Sequence, residues 1–339
     1  MVTMRDVARA AGVSVGTVSN YVNERGLVAE ATAARIQAAI AELGYSLDET
    51  ARAFRTRQTH SIGLVVPSIT NPYFAEIARV VAHALWEDGL QTFLCDAAAD
   101  PVRERTHIEQ LVSRRVDGIL LSHSGDPDDL RALIEPLTVP IVFFDRALAG
   151  HHSVDADNRL GGQLAARHLA ALGHQHVGVL AGDGNQSNIR DRIDGFSAEL
   201  AKHQVSLHEH DIVQGPQSLE LGYRVGEILA NEPRPTAIFC TNDIVAFAAW
   251  RTMVELGYRV PEDVSLVGFD DIEMSRLTVP ALTTVAQDMR AIGRKATALL
   301  LRLMRAQQDT VDTISIAPHL VVRDSTAAPS AQEVAHAAR

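Results

Sequence analysis

Two hydrophobic patterns divide the chain near residue 61. Residues 4–44 place apolar residues at helical spacing and contain no continuous or alternating run typical of a strand. Gly12 and Gly44 mark helix ends, because glycine readily adopts the left-handed conformation that closes a helix. The pattern therefore predicts a small all-helical unit with three helices, at Met4–Ala10, Val15–Asn23 and Thr32–Leu43.

From Ser61 onward, short continuous apolar runs alternate with amphipathic stretches. The runs are SIGLVVP, LQTFLCDA, DGILLSHS, VPIVFFD, HVGVLAG, TAIFCTND, VSLVGFDD and LVVRDS. Continuous apolar strands that alternate with helices are typical of parallel sheets covered on both faces. A body of roughly 270 residues exceeds one such lobe, so we predict two doubly wound α/β lobes of about five or six strands each.

The pentapeptide GVSVG at Gly12–Gly16 fits two different structures. In a serine hydrolase, G-x-S-x-G is a nucleophile elbow that follows a strand, whereas the preceding RDVARAA is helical here. We therefore predict that Ser14 caps the second helix, its hydroxyl accepting the N–H of Gly16 or Thr17. Thr3 and Asp6 have the spacing of a capping box for the first helix.

Small apolar residues where the first two helices would cross suit a helix-turn-helix. In that motif the first turn of the second helix enters the major groove of DNA. A three-helix cap without a DNA role would carry the same pattern, so both interpretations stand at this point. The residues concerned are Val7, Ala8, Ala11, Val13, Val18 and Val22.

Charge is distributed unevenly along the chain. The net charge of −11 argues against a general polyanion binder. The first 60 residues hold seven arginines and six acids, whereas the remainder holds 24 basic and 36 acidic residues. An acidic body of this kind would repel DNA unless the nearly neutral head is held away from it.

Several classes of protein are not indicated. No secretory signal or apolar run of about 20 residues is present, so we expect a cytoplasmic protein without membrane contact. Cys95 and Cys240 lie in apolar runs and are expected to be buried free thiols. GDGN lacks the phosphate-loop pattern, and no histidine sits in H-E-x-x-H, so we expect no catalytic residue, metal or cofactor. The close histidine pairs are His151 and His152, His174 and His176, and His208 and His210.

A family resemblance rests on many motifs in order. DVARAAGVSVGTVSNYVN, NPYFAEIARV, RRVDGILL, RPTAIFCTND, RVPEDVSLVGFDD and PALTTV resemble the lactose-repressor/purine-repressor family of bacterial transcription regulators. The resemblance extends to Arg323. It implies a helix-turn-helix head at 1–46, a hinge segment at 47–60, a two-lobed body of periplasmic-binding-protein type at 61–325 and a disordered tail at 326–339. The first lobe would comprise 61–158 and 289–317, and the second 159–288 and 318–325.

The resemblance also implies how the head would bind DNA. It places Val15, Gly16 and Asn20 at base-reading positions, and an asparagine can pair with adenine through two hydrogen bonds. Phosphate contacts would come from Thr3, Ser14, Thr17 and Ser19. A hinge helix would insert Phe54 into the minor groove as an apolar wedge. The acids Asp48 and Glu49 would weaken this contact, and they would be offset by Arg52, Arg55 and Arg57. A plain flexible linker is the alternative for this segment.

The body is expected to bind an effector between its lobes. Parallel sheets bind ligands at the carboxyl ends of their strands, and the resemblance points to the same places. The expected effector residues are Tyr73, Phe74, Asp145, Gln186, Asn188, Arg190, Arg192, Gln217, Asn242 and Asp270.

Structural roles stay open for some of these residues. Asn242 and Asp243 could cap the following helix, with Asp243 the expected cap, Asp270 could pair with an arginine, and Phe74 could belong to the core.

Carboxylates, guanidinium groups and amides together favour a ligand with several hydroxyl groups. We expect a monosaccharide or polyol. A nucleoside, a sugar acid and a sugar phosphate are the alternatives.

A twofold operator requires a dimeric protein. No leucine heptad follows Val322, so we expect a homodimer on a pseudo-palindromic operator. The resemblance implies that ligand binding in the cleft changes operator affinity, and its sign stays open. A solute-binding protein without DNA function would share the body alone.

Overall fold

The computed structural model describes residues 2–22, 28–45, 58–305 and 310–329. The chain divides into two compact units, Met1–Thr59 and His60–Arg339. The first unit is helical, and the second is an α/β body with two separate sheets. The predicted fold class is therefore confirmed.

The head contains the three predicted helices. They are α1 (Met4–Ala11), α2 (Val15–Val22) and α3 (Glu30–Leu43). Gly12 and Gly44 end α1 and α3 with φ values of 65° and 60°, as their sequence positions predict. Val13 and Val22 are only partly buried. The small core consists of Val7, Ala8, Ala11, Val18, Ile36 and Ala39.

The first lobe is a six-stranded parallel sheet in the order β11-β5-β4-β3-β1-β2. Apolar residues of its helices cover both faces, which is why the central strands β1, β3 and β4 are continuous apolar runs. Its strands are β1 (Ser61–Val66), β2 (Gln91–Asp96), β3 (Gly118–Leu121), β4 (Ile141–Phe144), β5 (Ser153–Ala156) and β11 (Thr313–Ile316). Its helices are α4 (Pro72–Glu87), α5 (Pro101–Ser113), α6 (Pro127–Ile134) and α12 (Met289–Arg305).

The second lobe has a sheet in the order β12-β10-β9-β8-β6-β7, in which only β12 runs antiparallel to its neighbour. Its strands are β6 (Val177–Ala181), β7 (Ile212–Gln214), β8 (Ala237–Cys240), β9 (Ser265–Asp270), β10 (Thr283–Ala286) and β12 (His319–Val321). Its helices are α7 (Asn158–Ala171), α8 (Ser187–Lys202), α9 (Leu219–Tyr223), α10 (Val225–Leu229) and α11 (Asp243–Glu255), with short 3₁₀ turns at Glu209–Asp211 and Glu273–Arg276. The chain passes between the lobes three times, after β5, β10 and β11.

Helices α7 and α8 touch backbone to backbone. A Cβ atom at Gly162 would overlap the carbonyl oxygen of Arg192, and a Cβ at Gly195 would overlap that of Arg159. Glycine is therefore required at both positions for steric reasons. This contact fixes the position of Arg192 against the start of α7.

Two expectations about burial and order need correction. Cys95 is only partly buried, because it lies on β2, the edge strand of its sheet. Thr326 and Ala327 fall within the segment predicted to be disordered, yet both bond to the second lobe. The Thr326 hydroxyl pairs with His168, and the Ala327 N–H donates to the Ser265 hydroxyl.

None of the helices in the described ranges is both long and apolar enough to cross a membrane.

Candidate DNA-binding and effector-binding sites

Ser14 caps α2, as its sequence position predicts. The Thr17 N–H donates to Ser14 Oγ at 3.0 Å, and the two hydroxyls lie 2.8 Å apart. The residues before GVSVG form α1, so the turn joins two helices. The nucleophile-elbow interpretation fails because no strand precedes the serine.

Thr3 fixes the start of α1. Its N–H and its hydroxyl both donate to Asp6, at 3.0 and 2.6 Å, which completes the predicted capping box. These two hydrogen bonds lower the pKa of the Asp6 carboxyl. These contacts therefore define the first residue of α1.

The first turns of α2 expose residues with small side chains to solvent. Val15 is 42% exposed, and Gly16 and Asn20 are also exposed. A Cβ at Gly16 would meet only Ser14 Oγ, at 3.6 Å, so the packing of the head does not demand glycine there. Thr17 and Ser19 are partly buried beside this surface. Arg52 and Phe54 lie outside the described residues, so the hinge stays a prediction.

Asp145 follows β4 directly and lies at the face where the two lobes meet. It accepts hydrogen bonds from Asn188 Nδ2 of the second lobe at 3.3 Å and from Ser122 Oγ at 3.4 Å. Arg146 Nε lies 3.7 Å from the same carboxylate. The backbone of Asp145 has a φ of 64°, a conformation that non-glycine residues rarely adopt and that is enriched at ligand sites.

Asp270 ends β9 in a similar way. Gln287 Nε2 donates to Asp270 Oδ1 at 2.7 Å, and Arg192 Nη1 lies 3.9 Å from that oxygen. Burial raises the pKa of Asp270 well above its ordinary value, and the nearby Arg192 charge opposes this effect. The φ of 112° again shows a strained backbone at a strand end.

Arg192 is a buried guanidinium on α8. Its Nε donates to Asn158 Oδ1 at 2.8 Å, its Nη1 donates to the Thr241 carbonyl, and its plane covers the Phe269 ring at 3.7 Å. Neutral acceptors and an aromatic ring hold it, with Asp270 at longer range. Its position is therefore fixed, while its charge is only loosely paired.

Tyr73 and Phe74 lie in the first turn of α4. The Tyr73 hydroxyl donates to Gln287 Oε1 at 3.4 Å, and its ring meets the Phe74 ring edge-on at 5.0 Å. Burial and the carboxylates of Asp145 and Asp270 raise the pKa of Tyr73 well above its usual value, so the phenol stays protonated. Phe74 also packs into the first-lobe core, so its ring contacts both the core and Tyr73 at the candidate site.

Asn242 and Gln186 have buried polar atoms at the second-lobe side of the site. Asn242 Oδ1 accepts the Val245 N–H at 2.8 Å and caps α11. Its Nδ2 and Gln186 Oε1 are buried without a hydrogen-bond partner among the described residues. Buried polar groups normally have partners, so these atoms are available to a ligand.

The expectation that Asp243 caps this helix is wrong. Asn242 is the cap, and Asp243 is buried inside the lobe, where it accepts from the Ile272 N–H at 2.9 Å. The hydroxyls of Ser275 and Thr284 each donate to it at 2.6 Å. Asp243 is therefore a structural residue.

Two expected residues contact the loop that follows β6. Arg190 is exposed and donates to the carbonyl oxygens of Gly184 and Asn185, at 3.1 and 2.8 Å. Gln217 is partly buried and packs over Gly182, where a Cβ would overlap it. Gln287, which the sequence did not indicate, joins Tyr73 to Asp270. The strand-end rule would have found it if β10 had been predicted.

Comparisons with known proteins agree with this architecture. Residues 3–48 match the model described as bacterial regulatory proteins, lacI family, and residues 166–326 match a periplasmic binding protein-like domain. The chain is 38% identical over 332 residues to the HTH-type transcriptional repressor PurR of Mannheimia succiniciproducens, covering 96% of this chain and 98% of that protein. It is 36% identical over 331 residues to the PurR repressor of Haemophilus influenzae strain PittEE, with the same coverage.

Solved structures are similar over the body and the head. The lac repressor dimer bound to operator and an anti-inducer superposes with a TM-score of 0.87 at 30% identity, covering 96% of this chain and 99% of that chain. A LacI family regulator from Enterococcus faecalis V583 with bound ribose has a TM-score of 0.72 at 31% identity, covering 80% of this chain and all of that chain.

A helix-turn-helix unit together with a two-lobed α/β body defines a DNA-binding transcriptional regulator, and it is not an enzyme. The chain belongs to the lacI family of bacterial regulatory proteins, and within it to the transcriptional repressors.

Proposed function

We propose that this repressor binds a pseudo-palindromic operator as a homodimer and that a small polyhydroxylated effector, a monosaccharide or polyol, controls its operator affinity. The observation that carries the effector class is the buried set of Asp145, Asp270 and Arg192. Carboxylates accept hydrogen bonds from pairs of hydroxyls, and a guanidinium donates to hydroxyl and ring oxygens. Asn188 and Asn242 add amide groups beside them.

A flat nucleobase fits this site less well. Among the described residues, the aromatic rings here are Tyr73 and Phe74 on α4 and Phe269, whose face Arg192 covers. A base would need stacking surfaces on both of its faces, whereas a sugar needs one apolar face and many polar partners. The similar Enterococcus faecalis regulator holds ribose, which supports the sugar class.

The contact between the lobes supplies a route for control. Asn188 of the second lobe donates to Asp145 of the first at 3.3 Å. A ligand that takes the hydrogen-bonding capacity of Asp145 competes with this contact and thereby changes the relative free energy of two lobe arrangements. The ligand must bind the two states with different affinity, and a coupling of about 1–3 kcal/mol gives about 5- to 150-fold in operator affinity.

The DNA-binding part of the proposal rests on the surface of α2. Asn20 would read adenine, Val15 would touch a thymine methyl, and Gly16 would let the helix approach the bases. Phe54 would add a wedge in the minor groove. Because an operator is chromosomal DNA, this function places the protein in the cytoplasm.

The dimer part rests on the similar lac repressor structure, which is a dimer. Contiguous exposed apolar surfaces mark protein contacts, and exposed apolar side chains of the body are candidates for such a surface. The exposed residues include Leu94 and Val102 in the first lobe and Val254, Leu256, Leu277 and Val279 in the second. A sedimentation mass of two chains is expected, and a mass of four would contradict the dimer.

Footprinting on the DNA that flanks the gene, with and without a panel of sugars and nucleosides, tests the proposal. We expect a protected near-palindrome that one sugar abolishes or makes appear, which also gives the sign of the switch. The variant Asn20→Ala should no longer protect the operator DNA. A truncated protein of residues 61–339 should still bind the effector but not the DNA. Protection that responds only to nucleosides would reject the sugar class, and protection that Asn20→Ala retains would reject the base-reading role.

A further inference from the structure

Three histidines and one aspartate gather at one edge of the second lobe. His176 comes directly before β6, and His208, His210 and Asp211 lie in the segment that leads into β7. One ring nitrogen of His176, one of His208 and a carboxylate oxygen of Asp211 all lie within 4.8 Å of one another. His176 and Asp211 are buried and His208 is exposed, so the cluster has a buried floor and opens to solvent.

The third histidine is close to the same carboxylate. His176 Nε2 lies 2.6 Å from Asp211 Oδ2, and His210 Nε2 lies 3.8 Å from that oxygen. The His208 ring meets the His176 ring edge-on at 5.0 Å and stacks on the His210 ring at 5.3 Å. Three imidazoles thus surround one buried carboxylate.

The frame around the cluster is rigid. The 3₁₀ turn Glu209–Asp211 sets the direction of the side chains, and β6 and β7 are paired in parallel. Asn231 Nδ2 donates to Asp211 Oδ1 and to the His210 carbonyl oxygen, both at 2.9 Å. Hydrogen bonds of this kind, from side chains that do not touch the ion, orient the carboxylate ligands of metal sites.

Hydrogen bonding within the described residues does not use every ring nitrogen of this cluster. His176 Nδ1 is buried and has no hydrogen-bond partner among the described residues. A purely structural His176–Asp211 pair would also give no reason for two more histidines to lie against it. The sequence offered no metal motif here, because His176 and the His208–Asp211 turn are far apart along the chain.

We propose that His176, His208, His210 and Asp211 form a binding site for a divalent transition-metal ion such as Zn²⁺. Three imidazoles and a carboxylate match the ligands that zinc and its first-row neighbours prefer. Ligand atoms about 2.0–2.2 Å from a tetrahedral ion lie about 3.4 Å apart. To admit the ion, His176 Nε2 and Asp211 Oδ2 would move apart from 2.6 Å to about 3.4 Å, and their hydrogen bond would be lost. The exposed rings of His208 and His210 would turn inward to bind the ion.

This site is separate from the effector site. The cluster lies where β6 and β7 begin, whereas Asp145 and Asp270 lie at the carboxyl ends of their strands. A metal bound only by the folded chain stabilises it through mass action. The expected result of metal binding is therefore a more stable second lobe.

Zinc titration of the full-length, tag-free and chelator-treated protein against a chromophoric chelator tests the site. We expect one Zn²⁺ per chain in the wild type. His208→Ala and His210→Ala, both at exposed positions, should each weaken binding by about 10- to 100-fold or more. His83→Ala, at an exposed helical histidine, is the matched control and should bind as the wild type does.

Thermal melting with and without Zn²⁺ gives a second measurement. Zinc should raise the melting temperature of the wild type and of His83→Ala, and should raise that of His208→Ala much less. No saturable binding, equal affinity in the wild type and both cluster variants, or an equal loss in His83→Ala would each overturn the proposal.

Discussion

Two neighbouring strands of the second lobe, β8 and β9, end in similar sequences with different environments. After β8, Asp243 receives hydrogen bonds from one N–H and two hydroxyls of the protein itself. At the end of β9, Asp270 receives one amide hydrogen bond and has Arg192 at 3.9 Å. Both carboxylates are buried. The comparison teaches that burial alone does not identify a ligand site, and that a carboxylate whose partners are incomplete is the better candidate.

The largest effect on the free energy of unfolding should come from Asp243, whose hydrogen-bond donors all belong to the protein itself. Asp243→Ala leaves three donors unsatisfied in the core and should lower the free energy of unfolding by about 3–5 kcal/mol. Urea unfolding followed by circular dichroism measures it. A loss below about 1 kcal/mol would show that Asp243 is not a structural anchor.

Asp270→Asn should separate stability from ligand binding. The amide keeps the shape of the side chain but replaces the carboxylate that lies near Arg192 and that we propose accepts a ligand hydroxyl. We expect effector affinity to fall by about 30- to 150-fold, equivalent to about 2–3 kcal/mol, and the free energy of unfolding to change by less than about 1 kcal/mol. Calorimetric titration with the effector found by footprinting checks this, and an unchanged affinity would remove Asp270 from the site.

The titration of Asp243 should make the stability of the protein depend on pH. Burial raises the pKa of Asp243 to about 6, from an ordinary value of 3.8. The folded state therefore holds this proton more tightly than the unfolded state. The resulting stabilisation is complete below about pH 4 and is lost as the pH rises through about 6.

The matching variant isolates this contribution. The stability of the wild type relative to Asp243→Asn should fall by about 2 kcal/mol between pH 4 and pH 7. Urea midpoints across this range provide the measurement. If the wild type instead becomes more stable relative to Asp243→Asn as the pH rises, the pKa of Asp243 is lowered by folding. The hydrogen bonds would then hold Asp243 ionised.

The smallest effect should come from Arg190. Its side chain is exposed and bonds to loop carbonyls, so Arg190→Ala should change effector affinity by less than about threefold. Arg192→Ala, two residues away, is the contrasting variant and should abolish most of the binding. Equal losses in the two variants would mean that the loop carrying Arg190 closes onto the ligand.

Sequence periodicity explains part of what could be predicted. Asn188 and Arg192 are four residues apart on α8 and share a face, whereas Arg190 lies on the opposite side. The long apolar strands and the head helices follow from pattern alone. Strands β5, β7, β10 and β11 do not, because polar residues interrupt them (SVDA, IVQ, TTVA and TISI) and leave no continuous apolar run.

The hydrogen-bond partners of the buried carboxylates could not be predicted from the sequence. The sequences Asn242-Asp243 and Asp270-Asp271 look alike, and only their long-range contacts distinguish a structural carboxylate from a ligand candidate. The residues that complete Asp243 lie about 30–40 positions further along the chain. Gln287 was missed because it follows β10, which begins with two threonines and so lacks a continuous apolar run.

The glycine contact between α7 and α8 has a consequence for protein engineering. Gly162 and Gly195 leave these helices no room to slide, so the guanidinium of Arg192 is a fixed reference point. Gln186 and Gln217 have no such constraint. A library that randomises these two positions should explore new effectors on an unchanged scaffold, whereas substitutions at the glycines should yield mostly misfolded clones.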